Sequence, residues 1–464
     1  MKYYKIKRGL NIKLKGKAEE VIDNEIIVSN KYIISPEVFY GFEQKLAVQV
    51  GDIVKRADVL LYDKNFPEIK LTSPVCGTII EINRGEKRKI TEIIIEKATN
   101  DDYINFIDNQ DINNSEVIKN ILLNSGCWLY IKQRPFGIIA NPTKKPNAIF
   151  ISFFDSATLA PNFDFILKDK KNEINKALQI LKNLSDCKIY LSFNKNSYLI
   201  NLIENQENYE INFFDGPHPS GLVGTHINKI RAIGKNDIYW TISAADLPII
   251  GNLFLSGEFL PERLIAVCGS EIKNPCYYKT IANISLLDFL KDKIKNQNVR
   301  IISGNVLTGQ DVSEKPHLDF FDNMLTVIPE GNKEEELFGW LLPGLNKLSN
   351  SRTFLSNYYP ILNILKSAGN DNDRLQDEYS ATTNTHGDQR AFIMSGEYEK
   401  VCPLDIYPQM LVKAAITEDI EKMEQLGIYE VIEEDLALCE FVCTSKINVQ
   451  EFIRKGINQV IAEI

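Results

Sequence analysis

Two of the chain's four histidines lie within nine residues of each other, in the run GPHPSGLVGTH at positions 216–226. Gly216, Gly221 and Gly224 would let this backbone turn tightly and approach a ligand closely. Imidazole titrates near neutrality, so His218 or His226 could donate a proton to a quinone that gains protons on reduction. Thr225 sits beside them. The chemistry suggested is a loop for an anionic or quinone-like ligand. The competing reading is a rigid turn that only fixes the path of the chain. The spacing is neither a dinucleotide fingerprint nor a Walker loop. A metal is disfavoured, because the two histidines share no helical face and no Cys or carboxylate cluster accompanies them. Cys439 and Cys443 form a C-x3-C with Cys402 nearby, whereas zinc and iron–sulfur sites typically use C-x2-C. Four residues apart on a helix, they read as buried thiols on one face. No G-x-S-x-G elbow is present.

Such residues need elements to position them. Residues 146–270 alternate apolar runs with helical patterns: PNAIFISFFD ends at Asp155, YEINFFDG ends at Asp215 and Gly216, and CKIYLSFN, DIYWTI and RLIAVCG add three more runs. Ile174, Ala177, Leu178, Leu181 and Leu184 fall on one helical face. This alternation predicts a parallel sheet with helices on its faces. Its ligands would bind beyond the carboxyl ends of the strands, at Asp155, Asp215, Gly216, Ser243 and Gly269. Residues 44–96 read as short strands with turns at Gly51-Asp52 and Arg84-Gly85, the pattern of a small barrel or sandwich. Residues 115–130 read as a helix ended by Gly126, followed by a turn at Arg134. YYKTIANIS, SLLDFLKDKIKN, VRIISGNVLTG and DNMLTVIPEG suggest a small α+β module over 271–330. From 337 onward helices dominate, most clearly at 404–416 and 449–464, around a polar stretch at 368–390 that reads as a mobile loop.

Composition bounds the function classes. The 464 residues are 44% hydrophobic and 25% charged, ordinary for a globular protein of about three domains. A net charge of −9 argues against broad phosphate-backbone binding and hence against a nucleic-acid partner. Eight cysteines are too few for a disulfide scaffold at this length, which suggests reduced thiols in the cytosol. The most apolar stretch, residues 238–257, is interrupted by Asp246, Pro248 and Gly251 and reads as a strand then a helix rather than a membrane span. The first 17 residues carry seven basic groups and no acid. In KIKRGLNIKLK they alternate outward as on a strand.

Several stretches resemble one family along the whole chain: the A subunit of the sodium-translocating NADH:quinone reductase. They are IKRGLNIKLKGKAE, INRGEKR, RPF at 134–136, GPHPSGLVGTHI, ELFGWLLPG with SRTFLS, EYEKVCPLDIYPQMLV and EEDLALCEFVC. The GDxV and SPVxGTI phrases also resemble the flattened barrel of lipoyl and biotinyl carriers, although YDKNF around Lys64 does not match a carrier hairpin.

The resemblance implies a peripheral subunit on the cytoplasmic face of the bacterial inner membrane, docked on membrane subunits, the B subunit first. The complex reduces ubiquinone with NADH and exports sodium ions. Its flavins and iron–sulfur centres would sit in partner subunits, with ubiquinone as a possible ligand here. The resemblance also implies an α/β multidomain fold: a barrel-sandwich domain at 1–110 with an N-terminal strand, and a Rossmann-like domain at 111–270. A β-grasp module at 271–335 and a helical domain at 336–464 follow, as in the C subunit of Rnf complexes and the flavin-binding subunit of complex I. The C-x2-C-x2-C runs of the Rnf relatives are missing, so no cluster and no metal is expected. Thr444 stands where the family commonly has proline, and DSATLA at 155–160 replaces its usual DTNPLA. Arg134, Asp155, Gly216, His218, Gly221, Gly224, Thr225 and His226 are the quinone-binding candidates, with Arg134 orienting a quinone oxygen and the basic first 17 residues meeting membrane subunits. A stand-alone flavin-binding NADH oxidoreductase and a cofactor-free assembly module are the alternatives.

Overall fold

The computed structural model describes residues 1–332 and 378–463, except 25, 26, 28 and 108–110. The ELFGWLLPG and SRTFLS motifs and the first part of the polar stretch at 368–390 lie outside the described residues.

Two antiparallel sheets hold residues 31–97. One runs Lys31–Ile34, Ile90–Lys97, Gly77–Arg84, Ile53–Val54 in spatial order, the other Gln44–Leu46, Val59–Asp63, Lys70–Thr72. Ile79, Ile93, Ile95, Leu60 and Leu61 are fully buried between them. The turn at Gly51-Asp52 forms as its residues require: Gly51 takes a φ of 95°, and the Asp52 carboxylate accepts the Gln49 N–H at 2.7 Å.

The central sheet has seven strands in the order Lys2–Lys5, Glu210–Asp215, Lys188–Asn194, Ala148–Ser152, Tyr239–Ser243, Lys132–Arg134, Ile138–Ile139. The first five are parallel, and the last two form an antiparallel hairpin on the far edge. Alternation along Ala148–Ser152 sends Ile149 and Ile151 into the main core and Ala148 and Phe150 to the other face. There Phe150 packs with Ile227 of the helix Val223–Ile230. The helices Lys171–Leu184 and Leu247–Ser256 pack against each other. Their contact is close because Gly251 has no side chain; a Cβ there would lie 1.9 Å from the Glu173 carbonyl oxygen.

Three expectations need correction. The N-terminal strand, grouped by its sequence with the barrel, joins the edge of the seven-stranded sheet instead. Tyr3 and Tyr4 stack on Phe213 and Phe214 at 4.9 Å, a pair of cross-strand aromatic contacts that fixes its register. RLIAVCG, read as the last strand of the parallel sheet, belongs to a separate five-stranded sheet. As Glu262–Cys268 it forms a hairpin ladder with Cys276–Ile281 and runs parallel to Met324–Pro329. That local pairing takes Gly269 away from the carboxyl edge where Asp155, Asp215 and Ser243 sit. SLLDFLKDKIKN forms only the short helix Leu287–Leu290, and Ile294 instead bridges Ile272.

The stretch 238–257 is indeed a strand followed by a helix. Among the described residues no helix is long and apolar enough to cross a membrane. Beyond residue 397 the helices Pro408–Ile416, Ile420–Gln425, Ala437–Phe441 and Val449–Glu463 pack together. Cys402, Cys439 and Cys443 are buried among them, and the Tyr398 hydroxyl donates to Cys443 Sγ at 3.1 Å.

Candidate functional site

The strand Ala148–Ser152 ends beside the loop that follows Glu210–Asp215, as the parallel order requires. Ser152 Oγ donates to the Phe154 and Gly221 carbonyls at 2.8 and 3.0 Å, tying the two strand ends together. Asp155 caps its own turn, accepting the Ala157 N–H at 2.8 Å. Desolvation pushes its carboxyl up, opposed by that N–H and the Ser156 N–H.

His218 and Gly221 converge on one hydroxyl. Ser156 Oγ accepts the Gly221 N–H at 2.8 Å and lies 3.0 Å from His218 Nδ1. With one lone pair engaged by Gly221, the hydroxyl can donate to Nδ1, and in that arrangement the imidazole proton is on Nε2. Burial lowers the His218 pKa to about 4, so near neutral pH the ring is an uncharged hydrogen-bond donor rather than a store of protons. A Cβ on Gly221 would meet the Ser156 nitrogen at 2.6 Å, so this approach needs glycine.

His226 has a different position. It is fully buried, 4.1 Å from the Phe214 ring centroid and 5.6 Å from that of Phe154. Its Nε2 lies 2.8 Å from the Ser220 carbonyl and must therefore carry the proton, while Nδ1 has no hydrogen-bond partner. Burial lowers its pKa to about 4 as well, against the opposing pull of Ser220. His226 pins the loop to the first turns of the helix Val223–Ile230. Thr225, beside it, is 1% exposed.

Arg134, on the antiparallel edge strand, is 2% exposed and already engaged. Its guanidinium donates to Asp435 Oδ2 at 2.7 Å and to Glu434 at 3.3 Å, both from the C-terminal segment. It is thus committed to a buried ion pair rather than free to orient a quinone oxygen. Asp435 also accepts the Ile432 N–H at 2.9 Å and comes so near the helix Val223–Ile230 that a Cβ on Gly224 would lie 2.1 Å from its Oδ1. Gly216, at φ 141°, is pressed against Ile6 of the N-terminal segment, whose carbonyl would lie 2.2 Å from a Cβ.

The eight candidates therefore separate into two groups. Asp155, Gly216, His218 and Gly221 gather at the carboxyl edge of the sheet. Arg134 and Gly224 meet the C-terminal segment at Asp435, while Thr225 and His226 are buried on the helix Val223–Ile230, His226 against Phe154 and Phe214. Sequence reasoning missed Ser156, Asp435 and Asn11, whose side chain accepts the His218 N–H at 2.9 Å. Ser156 and Asp435 each lie in a stretch that had drawn notice, DSATLA and EEDLALCEFVC, but no local spacing marks a partner about 60 to 300 residues away. Another missed pair is Arg263 and Asp246, buried 2.8 Å apart across the contact of the two large sheets. Among the described residues no group of His, Cys, Asp and Glu is placed to hold a metal ion.

A barrel-sandwich domain joined to an α/β domain and a third mixed sheet defines a multidomain class with matching family models. Residues 4–98 match the NqrA N-terminal barrel-sandwich hybrid domain, 113–259 the NqrA second alpha/beta domain, and 264–314 the NQRA C-terminal domain. The A subunit of the Na(+)-translocating NADH-quinone reductase of Vibrio vulnificus (strain YJ016) is 34% identical over 462 residues, covering 98% of each chain. Those of Vibrio alginolyticus and Haemophilus influenzae (strain PittEE) are each 33% identical over 461 residues, again covering 98% of both chains. The chain belongs to the NqrA family, the A subunits of Na(+)-translocating NADH-quinone reductases.

Proposed function

We propose that this chain is the A subunit of a sodium-translocating NADH:quinone reductase, which reduces ubiquinone with NADH and exports sodium ions. In this reading it is a peripheral subunit on the cytoplasmic face of the membrane. It contributes to assembly and quinone binding, while flavins and iron–sulfur centres reside in partner subunits, the B subunit among them. The single observation that carries the reading is the match to such subunits over 98% of both chains. The parallel strand order supports a Rossmann-like second domain. The mixed sheet from Glu262 onward supports a β-grasp-like third module, and the packed helices after 397 a helical C-terminal domain.

For quinone, the carboxyl-edge group is the better half of the candidate set. The Nε2–H of His218 would donate a hydrogen bond to a quinone oxygen, with Ser156 fixing the tautomer. At neutral pH the proton for quinol formation would then come from solvent or a partner, since a histidine with a pKa of about 4 holds none to spare. The test is titration of a ubiquinone analogue into the full complex carrying His218→Gln or His218→Phe. The expected result is weaker binding by about ten-fold for the Phe variant, with Gln retaining part of it through its amide N–H. Unchanged affinity in both would overturn this site.

The assembly-module reading also has an observation in its favour. Arg134, Gly224, Thr225 and His226 are spent on internal contacts. Their replacement would lower stability and leave quinone affinity of the folded complex unchanged.

A further inference from the structure

A cleft of about 450 Å3 opens where three distant segments meet: Lys15 and Gly16, residues 270–273 and 275 with Lys295, and Ser380. Main-chain bonds fix its walls. Gly269 N–H donates to the Gly16 carbonyl at 2.8 Å and Lys15 N–H to the Tyr379 carbonyl at 2.9 Å. Gly16 is at φ 93°, and a Cβ there would meet the Gly269 carbonyl oxygen at 2.2 Å. Ile272 bridges Ile294 antiparallel, with Lys273 N–H on the Lys293 carbonyl and Lys295 N–H on the Glu271 carbonyl, each at 2.9 Å. Lys273 and Lys295 thus ride on adjacent strands of one small ladder.

The charges of this cleft are not balanced from within. Lys15, Lys273 and Lys295 all line it. Lys295 Nζ donates to the Ser270 carbonyl at 2.7 Å and Lys273 Nζ to the Asp292 carbonyl at 2.9 Å. Neutral acceptors orient an ammonium group and leave its charge uncompensated. Among the described residues no carboxylate pairs with any of the three, whereas their neighbour Lys293 has Asp23 at 3.9 Å. The cleft's one carboxylate, Glu271, is 7% exposed and accepts from Asn296 Nδ2 at 2.6 Å. Two hydroxyls lie on the lining: Ser380 Oγ donates to Ser270 Oγ at 3.1 Å and Ser270 Oγ to Glu271 Oε1 at 3.5 Å, and Ser380 can turn its proton toward an incoming oxygen instead. Only Ile272 and Pro275 among the lining residues have larger apolar side chains.

We propose that this cleft binds a small oxyanion carrying two or more negative charges, held by the ammonium groups of Lys15, Lys273 and Lys295. Ammonium groups bind phosphate and carboxylate oxygens as compact point charges, and screening makes such binding weaken with salt. The site is separate from the carboxyl-edge group and independent of the quinone reading.

Calorimetric titration of the full chain with pyrophosphate and with citrate, at low ionic strength, tests it. One saturable site is expected for at least one anion, and the tighter of the two identifies a phosphate or a carboxylate source. Lys273→Gln/Lys295→Gln should weaken it by about ten-fold or more, and Lys15→Gln by a few-fold. Lys182→Gln/Lys188→Gln, on the α/β domain, should leave it unchanged. Melting temperatures without anion verify that each variant is folded, and Lys15→Gln, at the rim, provides the readout if the double variant is not. No saturable binding, or binding as strong in the Lys15 and Lys273/Lys295 variants as in the wild type, would overturn the proposal.

Discussion

His226 gives its one available proton to the Ser220 carbonyl and leaves Nδ1 buried without a partner. Protonating that nitrogen would put a positive charge among Phe154 and Phe214, and burial accordingly lowers the pKa from 6.5 to about 4. His218 is lowered from 6.5 to about 4 too. Between these values the unfolded chain binds more protons than the folded one, so stability falls as the pH drops below about 6.5 and the loss is complete near 4. Each histidine would contribute on the order of 3 kcal/mol to that loss. His317 acts in the opposite sense. Burial opposes its charge, but Asp319 at 3.3 Å, the Lys315 carbonyl and Glu92 together outweigh burial and raise its pKa, so its contribution is present at low pH and lost as pH rises. His226→Gln, whose amide can keep the bond to Ser220, should flatten the acid side of the melting-temperature profile; a profile as steep as wild type would mean that His226 does not titrate in this window. Arg134 supplies a second residue-scale prediction. Asp435→Ala should cost about 3–5 kcal/mol by leaving a buried guanidinium short of its main partner, and Arg134→Met with Asp435→Ala should recover much of it. Denaturant midpoints of the single and the double variant against the wild type measure this directly.

At the scale of elements, Gly251 tests what holds the α/β domain together. In an isolated helix, Gly→Ala stabilises by about 1 kcal/mol. Here the added Cβ would meet main chain of the facing helix at 1.9 Å, and main chain cannot swing aside as a flexible side chain can. Gly251→Ala should therefore destabilise, by about 1–3 kcal/mol as overpacking does, and a gain in melting temperature would show that the two helices separate freely. The helix Lys171–Leu184 itself was legible from the spacing of Ile174, Ala177, Leu178 and Leu181, all fully buried; Leu184 lies only at its edge. The strands Ala148–Ser152 and Glu210–Asp215 were equally legible, because strands covered on both faces have little room for polar residues. Sheet membership was not. RLIAVCG has the same apolar run as its neighbours, and only its pairing with Cys276–Ile281 and Met324–Pro329 assigns it to another sheet. The site shows the same division. Glycines and histidines marked the loop, but whether a histidine faces an edge or a core depends on Ser156, Phe154 and Phe214, which pattern alone does not place beside it.

At the scale of the whole molecule, the first 17 residues link the modules. Lys2–Lys5 pairs with Glu210–Asp215, Leu10 N–H donates to the His218 carbonyl at 2.9 Å, Leu14 bridges Tyr379, and Gly16 meets Gly269. All these bonds are made by main chain, so the basic side chains are left for other uses. Lys2, Lys5, Lys7, Arg8, Lys13 and Lys17 are exposed. Backbone and charge can therefore be separated experimentally. Reversing Lys7, Arg8 and Lys13 to Glu should change stability by only about 0.5 kcal/mol per site, as exposed substitutions usually do. Deleting residues 2–12 should lower the melting temperature by several degrees, because it uncovers Phe214 and unpairs an edge of the central sheet. If the basic face meets partner subunits, the charge-reversed chain keeps its melting temperature and fails to co-purify with them, and added salt weakens co-purification of the wild type. If the reversed chain assembles normally, the contact lies elsewhere and the segment serves only to bind the modules together.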